Sequence, residues 1–406
     1  MIVQPAAHAG KAGLRRRWLD HALALGEADP GPCFAWHSRV AFVLTLLSFL
    51  TLLGGAYVYS KAAPGVDFTS FWSAGHLAVT GHPALAYDQA VHRAVQMTVA
   101  HMGGAMPFPY PPPFLLVVMP IGFHPFWLAY LVWVAVGATL FLLATRRLMP
   151  ATYALSHPAA FMNVVGGQNG FLTCSVFIAA FAALERRPLL AGALFGLFVC
   201  KPQLACLVPI AFIAGGHWRA FFAAAASGLL VLLLGLALFG VESYRGFFAM
   251  SAHFAGLIEN SAWRWNQLAS VFAFARFFGI AQGPAFVAQA LAAIAAIVLT
   301  WRAWALKHDQ RVPILAASTM LISPYLFTYD TLLLIIPLAA FLQQRQAGRF
   351  VAVWMGSFLT VLCFTGAFAM PIPNLTPIAA IASLFWLHNC DLRLLLPNRS
   401  RVSAAA

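Results

Sequence analysis

Pro188-Leu189-Leu190-Ala191-Gly192-Ala193-Leu194-Phe195-Gly196-Leu197-Phe198-Val199-Cys200 runs directly into Lys201-Pro202-Gln203, and a second apolar run then continues to Gly216. Neither run reaches the roughly 20 residues that a helix needs to cross the hydrocarbon of a bilayer. A charge, a proline and an amide between two such runs predict a helical hairpin whose tip leaves the helix at membrane depth. Backbone at that depth must be buried in protein or line a wet cavity, because lipid cannot satisfy its N–H and C=O groups. The stretch therefore predicts an all-α polytopic membrane protein with short or re-entrant segments around a polar cavity.

The composition agrees. Of 406 residues, 62% are hydrophobic and 9% charged, with only 11 acidic side chains. A water-facing globule could not hide so much apolar surface. The formal charge of +13 would suggest nucleic acid in a soluble domain, but the Lys and Arg are spread thinly between apolar runs, as loop anchors are. Membrane lipid is the expected partner, and nucleic acid is not. Six cysteines, Cys33, Cys174, Cys200, Cys206, Cys363 and Cys390, form no CxxC and mostly sit in apolar runs, where a thiol packs as a small hydrophobe. Neither disulfides nor zinc are expected.

Apolar runs fall at about 40–59, 125–145, 152–166, 168–184, 188–200, 203–216, 220–240, 284–301, 312–323, 328–342, 351–370 and 376–388. With Arg15-Arg16-Arg17 inside, the later basic clusters from Arg146-Arg147 to Arg393–Arg401 can all be cytoplasmic. The expectation is about twelve membrane segments in a domain over 39–390. Cytoplasmic tails are expected at 1–38 and 391–406, and outer loops at about 60–112 and 241–282.

Unusual polar residues gather at the hairpin tips: Gly166-Gly167-Gln168-Asn169-Gly170, Lys201-Pro202-Gln203, and Ser323-Pro324-Tyr325 ahead of Tyr329-Asp330. By the same count these tips face outward. So does Asp67 in Gly65-Val66-Asp67-Phe68-Thr69-Ser70-Phe71-Trp72-Ser73-Ala74-Gly75, which predicts one cavity on the periplasmic side. Asp67 can stay ionised at the membrane boundary, or it can cap a helix. Lys201 is costly among apolar neighbours unless it meets an anion, and it reads also as an anchor that snorkels to the interface. Gln168 and Asn169 suit sugar hydroxyls or a polar turn. Trp263-Arg264-Trp265-Asn266-Gln267 could hold a sugar acceptor or form an aromatic belt. Tyr329 and Asp330 could line the cavity, with helix capping the favoured role for Asp330. Asp88, His76, His82 and His101 share the first loop without a metal-ligand spacing, so neither metal nor cofactor is expected.

Asp67-Phe68 with Phe71-Trp72 and Ala74-Gly75, then Gly81-His82-Pro83-Ala84, Tyr87-Asp88 and Pro109-Tyr110-Pro111-Pro112-Pro113 resemble the opening of glycosyltransferase family 87. Gly167-Gln168-Asn169, Arg187-Pro188 to Ala191-Gly192, Lys201-Pro202-Gln203, Trp218-Arg219 and Ser323-Pro324-Tyr325 with Tyr329-Asp330 continue the series in order, over about residues 39–342. The resemblance implies a GT-C type integral membrane enzyme of the bacterial inner membrane. Such an enzyme takes a sugar, typically mannose, from a polyprenyl-phosphate carrier and forms an α-(1→2) linkage to a glycolipid or glycan acceptor. It also implies that Asp67 is the catalytic base. Inverting displacement needs such a base and a stabiliser of the departing phosphate, for which Lys201 and Arg264 are the candidates. Candidate sugar or acceptor contacts are Gln168, Asn169, Gln203, Trp72, Trp263, Asn266, Tyr329 and Asp330. A lipid-linked sugar transporter is the alternative, disfavoured by the one-sided polar motifs and the lack of a half-to-half repeat.

Overall fold

The computed structural model describes residues 65–99, 106–260, 265–364 and 372–388, together with Arg39, Val43 and Leu46. Among them the chain is helical, with one isolated antiparallel bridge between Leu268 and Phe327. The segment expected as the first outer loop folds into α1 (Phe68–Val79) and α2 (Gln89–Met97), and α3 (Leu115–Gly122) and α4 (Phe126–Thr145) follow. The hairpin region comprises α5 (Ala151–Leu155), α6 (Pro158–Gly166), α7 (Gly170–Ala183), α8 (Pro188–Gly196) and α9 (Val208–Gly215). After these come α10 (Trp218–Glu259), α11 (Val271–Phe277), α12 (Gln282–Ala305), α13 (Arg311–Ile322), α14 (Ile335–Gln343), α15 (Ala347–Phe364) and α16 (Thr376–Leu387).

Among the described residues three helices, α4, α10 and α12, are long and apolar enough to cross a membrane, and seven shorter apolar stretches accompany them. The long helices expose Leu131, Leu143, Leu229, Leu230, Leu233, Val287 and Leu291. Each such side chain would cost about 1.5–3 kcal/mol left in water, and lipid removes that cost. The local signals explain the ends. Pro158 and Pro188 occupy the first turn of their helices, where the missing N–H is harmless, and Gly167 and Gly216 close α6 and α9 in the left-handed conformation.

The expected runs and the helices differ in two places. The run at 152–166 is split by His157-Pro158 into α5 and α6, because the residue before a proline is driven out of helical geometry. The stretch 241–282, expected as a loop, is helical over most of its length. The helix breaks only at Gly240, with φ 73° and ψ 166°, and resumes to Glu259. Apart from Val43 and Leu46, which are helical, the expected first helix at 40–59 lies outside the described residues, as do both tails.

Small residues decide how the helices cross. A Cβ on Gly192 of α8 would stand 2.2 Å from the carbonyl oxygen of Ala220 in α10, and one on Gly196 would stand 2.6 Å from Ser227 Cβ. Likewise a Cβ on Gly75 of α1 would meet the Val118 carbonyl of α3 at 2.2 Å. Backbones approach this closely only where one partner has no side chain, which is how helices associate without a hydrophobic driving force between them. Gly192→Val should therefore lower the unfolding midpoint in detergent, by about 1–3 kcal/mol of overpacking. Gly283→Ala, whose Cβ would meet nothing within 4 Å, should leave that midpoint in place.

Candidate functional site

Asp67 stands at the N-cap of α1, yet its carboxylate makes no capping bond. It accepts a hydrogen bond from Gln168 Nε2 at 3.0 Å, made to its Oδ2. Main-chain and tyrosine bonds register the two segments: Gly65 N–H donates to the Val165 carbonyl at 2.7 Å, and the Tyr130 hydroxyl to the Val164 carbonyl at 2.7 Å. The turn between α6 and α7 can sit so close because Gly166 and Gly167 carry no side chain there. A Cβ on Gly166 would lie 2.9 Å from Asp67 Oδ2, and one on Gly167, where φ is +66°, 2.6 Å from Phe68 Cβ. Asp67 lies outside the spanning helices, and burial pushes its carboxyl above the ordinary range while the Gln168 hydrogen bond pulls it part of the way back.

Asp67 and Gln168 form part of the wall of a cavity, together with Ser70, Tyr110, Phe254, Gln267, Phe327, Thr328 and Tyr329. The cavity encloses about 670 Å³ of empty space, its open mouth included. Asp67 is the one charged side chain among the described lining residues. The rest of the wall is aromatic or neutral and polar. The α2 helix supports its outer edge: Asp88 caps α2 by accepting from the N–H groups of Ala90 and Val91, and Gln96 clamps Met106 through both its carbonyl and its N–H.

Lys201 and Asp330 pair behind this wall. Lys201 Nζ donates to Asp330 Oδ1 at 2.5 Å and to Asn169 Oδ1 at 2.8 Å, and both charged side chains are buried. Its ammonium also lies 4.8 Å from the ring centroid of Tyr329 and 5.9 Å from that of Tyr110, so the two tyrosines stand next to it as cation–π partners. Lys201 does not line the described cavity, and its bonds to Asp330 and Asn169 tie the three tips together. The geometry corrects one expectation. Asp330 makes no helix cap, because its carboxylate is committed to Lys201.

The other expected contacts divide. Tyr329 and Gln168 reach the wall, and Asn169 lies just behind it, holding Lys201. Trp72 does not line the cavity: it is buried in the core, donating to the His124 carbonyl at 2.9 Å and stacked on His76. Gln203 is also absent from the wall, and its carbonyl accepts only from the Cys206 thiol. Asn266 is held by its carbonyl, which accepts from Asn374, while its neighbour Gln267 is the residue that reaches the cavity. Trp263 and Arg264 lie outside the described residues.

Two positioning amides carried no sequence signal. Asn163 Nδ2 donates to the Tyr329 carbonyl at 3.0 Å, and its Oδ1 accepts from Gly170 N–H at 2.7 Å, which fastens the Gln168 turn to the Tyr329 segment. Asn374 Nδ2 donates to Thr328 Oγ1 at 3.1 Å, fixing another part of the wall. Each is one amide in an apolar surrounding, and only the short distance to Gly170 hints at the role of Asn163.

Helices exposing apolar faces around a cavity with one carboxylate, amides and tyrosines define a membrane protein with a partly polar pocket. Residues 108–324, more than half of the chain, match glycosyltransferase family 87, and the chain belongs to that family. It is a membrane glycosyltransferase. Neither curated proteins nor solved structures give a match.

Removing one partner of a buried ion pair strands the other charge, a loss of about 3–5 kcal/mol. Lys201→Met and Asp330→Leu should each lower the unfolding midpoint in detergent strongly. The double variant should be more stable than the sum of the two losses predicts, as a double-mutant cycle would measure.

Proposed function

We propose that the chain transfers a mannosyl unit from a polyprenyl-phosphate carrier to a glycan or glycolipid acceptor at the periplasmic face of a bacterial inner membrane. The observation that carries this reading is the Asp67 carboxylate, which caps nothing and is held into the cavity by Gln168. In the reaction, the acceptor hydroxyl passes its proton to Asp67 as its oxygen attacks the anomeric carbon. The bond from that carbon to the phosphate oxygen breaks, and its electron pair leaves with the polyprenyl phosphate. Attack from the face away from the phosphate inverts the anomeric centre, so a β-linked donor gives an α linkage. The described wall offers no cation for the departing phosphate. Arg264, in the segment just before Trp265, is the residue assigned that role in this proposal.

The Gln168 amide favours the charged form of Asp67, and the partly enclosed site favours the neutral one. Transfer requires the deprotonated base, so activity is present above the Asp67 pKa and lost as pH falls through it.

Membranes containing the protein are incubated with radiolabelled polyprenyl-phosphate mannose and glycolipid acceptors. Wild type is expected to form a labelled glycolipid, and Asp67→Asn to lose about 10²–10⁴-fold in rate with donor binding kept. Unchanged transfer by Asp67→Asn would remove the residue from the base role, and label crossing the bilayer without a covalent product would favour a transporter. The acid limb of the wild-type rate profile is expected above the ordinary carboxylate range, and Gln168→Ala should move it to still higher pH.

A further inference from the structure

The cavity wall offers more than one sugar meeting one bare alcohol would use. From Tyr329, beside Lys201, a row of rings continues to Phe327, parallel to it within 1° and 5.5 Å away between centroids, and on to Phe254, 6.2 Å further. All three rings line the cavity, as do Gln267 and Thr328. The chain at Gln267 is fixed from behind. Its carbonyl accepts from Thr328 Oγ1 at 2.9 Å, and Asn374 bonds both Thr328 and the carbonyl of Asn266. The next residue, Leu268, bridges to Phe327, which keeps Gln267 beside that ring. The Gln267 carboxamide, by contrast, makes no hydrogen bond among the described residues.

A positioned amide that bonds no described residue, set beside apolar rings, suits a pyranose, which presents hydroxyl edges to amides and C–H faces to rings. An isoprenoid tail would use the rings but desolvate the amide without pairing it, a penalty that a sugar avoids. We propose that Gln267, Phe327 and Phe254 form a second sugar subsite. The acceptor is then a glycan of at least two units, its penultimate sugar in this subsite and its terminal hydroxyl at Asp67. The inference rests on the transferase reading of the same cavity.

The test is binding, read separately from turnover. Purified full-length protein in nanodiscs is titrated with methyl α-mannoside and with methyl mannobioside by ligand-observed NMR. Wild type should bind the disaccharide more tightly by roughly fivefold, the gain expected of one added hydrogen bond with ring contact. Gln267→Ala and Phe254→Leu should each bring the disaccharide down to the affinity of the monosaccharide while leaving monosaccharide binding alone. Gln267→Ala removes no bond that holds the fold, so an unchanged melting midpoint should accompany it.

Equal affinity of wild type for the two glycosides, or none for either, overturns the subsite. So does a Gln267→Ala variant that loses affinity for undecaprenyl phosphate instead, since that assigns the row of rings to lipid. Label transfer measured in parallel separates the two readings. Transfer without a disaccharide preference leaves the transferase standing and removes the subsite, whereas a disaccharide preference without transfer does the reverse.

Discussion

The Lys201–Asp330 pair is the constraint on which the site depends. A lysine and an aspartate withdrawn from water in an apolar surrounding each carry a desolvation cost of several kcal/mol, recovered only while they stay together with further hydrogen bonds around them. Asn169 supplies one of those bonds. The pair therefore fixes where the tip at Lys201, the tip at Asn169 and the segment at Asp330 stand relative to one another. Gln168 precedes Asn169 and Tyr329 precedes Asp330, so the residues that face the cavity inherit their places from the pair behind them.

This arrangement divides the work between hidden and displayed groups. The charges that hold the tips are buried and paired through one carboxylate oxygen, while the one charge on the described wall, Asp67, is kept from a capping bond and given a single amide neighbour. A stabilising ion pair and a carboxylate proposed to take a proton have opposite requirements, since the first must be paired and the second must stay available. Two separate aspartates meet both. Aromatic rings separate the two functions: Tyr110 and Tyr329 present faces to the Lys201 ammonium and also belong to the cavity wall.

Much of the framework was legible because prolines, glycines and charges punctuate apolar runs. Arg187-Pro188 marks the start of α8 and Gly167 the end of α6, while of the three polar tips only Gln168, and Tyr329 beyond the third, reach the described cavity. The failures have physical causes. Gly240 followed by Glu242, Ser243 and Arg245 reads as the start of a loop, but the helix resumes after a single residue of positive φ, with Glu242 and Arg245 paired on its exposed face. Asp330 read as a cap because capping is local, whereas its true partner lies 129 residues away and no spacing rule reaches that far. Lys201 was rightly singled out as needing an anion, but a carboxylate within the chain satisfies that need. Trp72 looked like a sugar platform because composition cannot separate a ring that faces a cavity from one packed against the His124 carbonyl.

The registration of Asp67 has a consequence for how the enzyme can vary. Gly65 N–H reaches the carbonyl of Val165, and the Tyr130 hydroxyl reaches that of Val164, so the valines contribute peptide oxygens rather than isopropyl groups to this contact. A peptide oxygen is the same whatever residue carries it. Replacements there that keep the helix leave both bonds in place, although the Val164 side chain also packs on the core, so the address of Asp67 is written in peptide groups that ordinary amino-acid replacement does not remove.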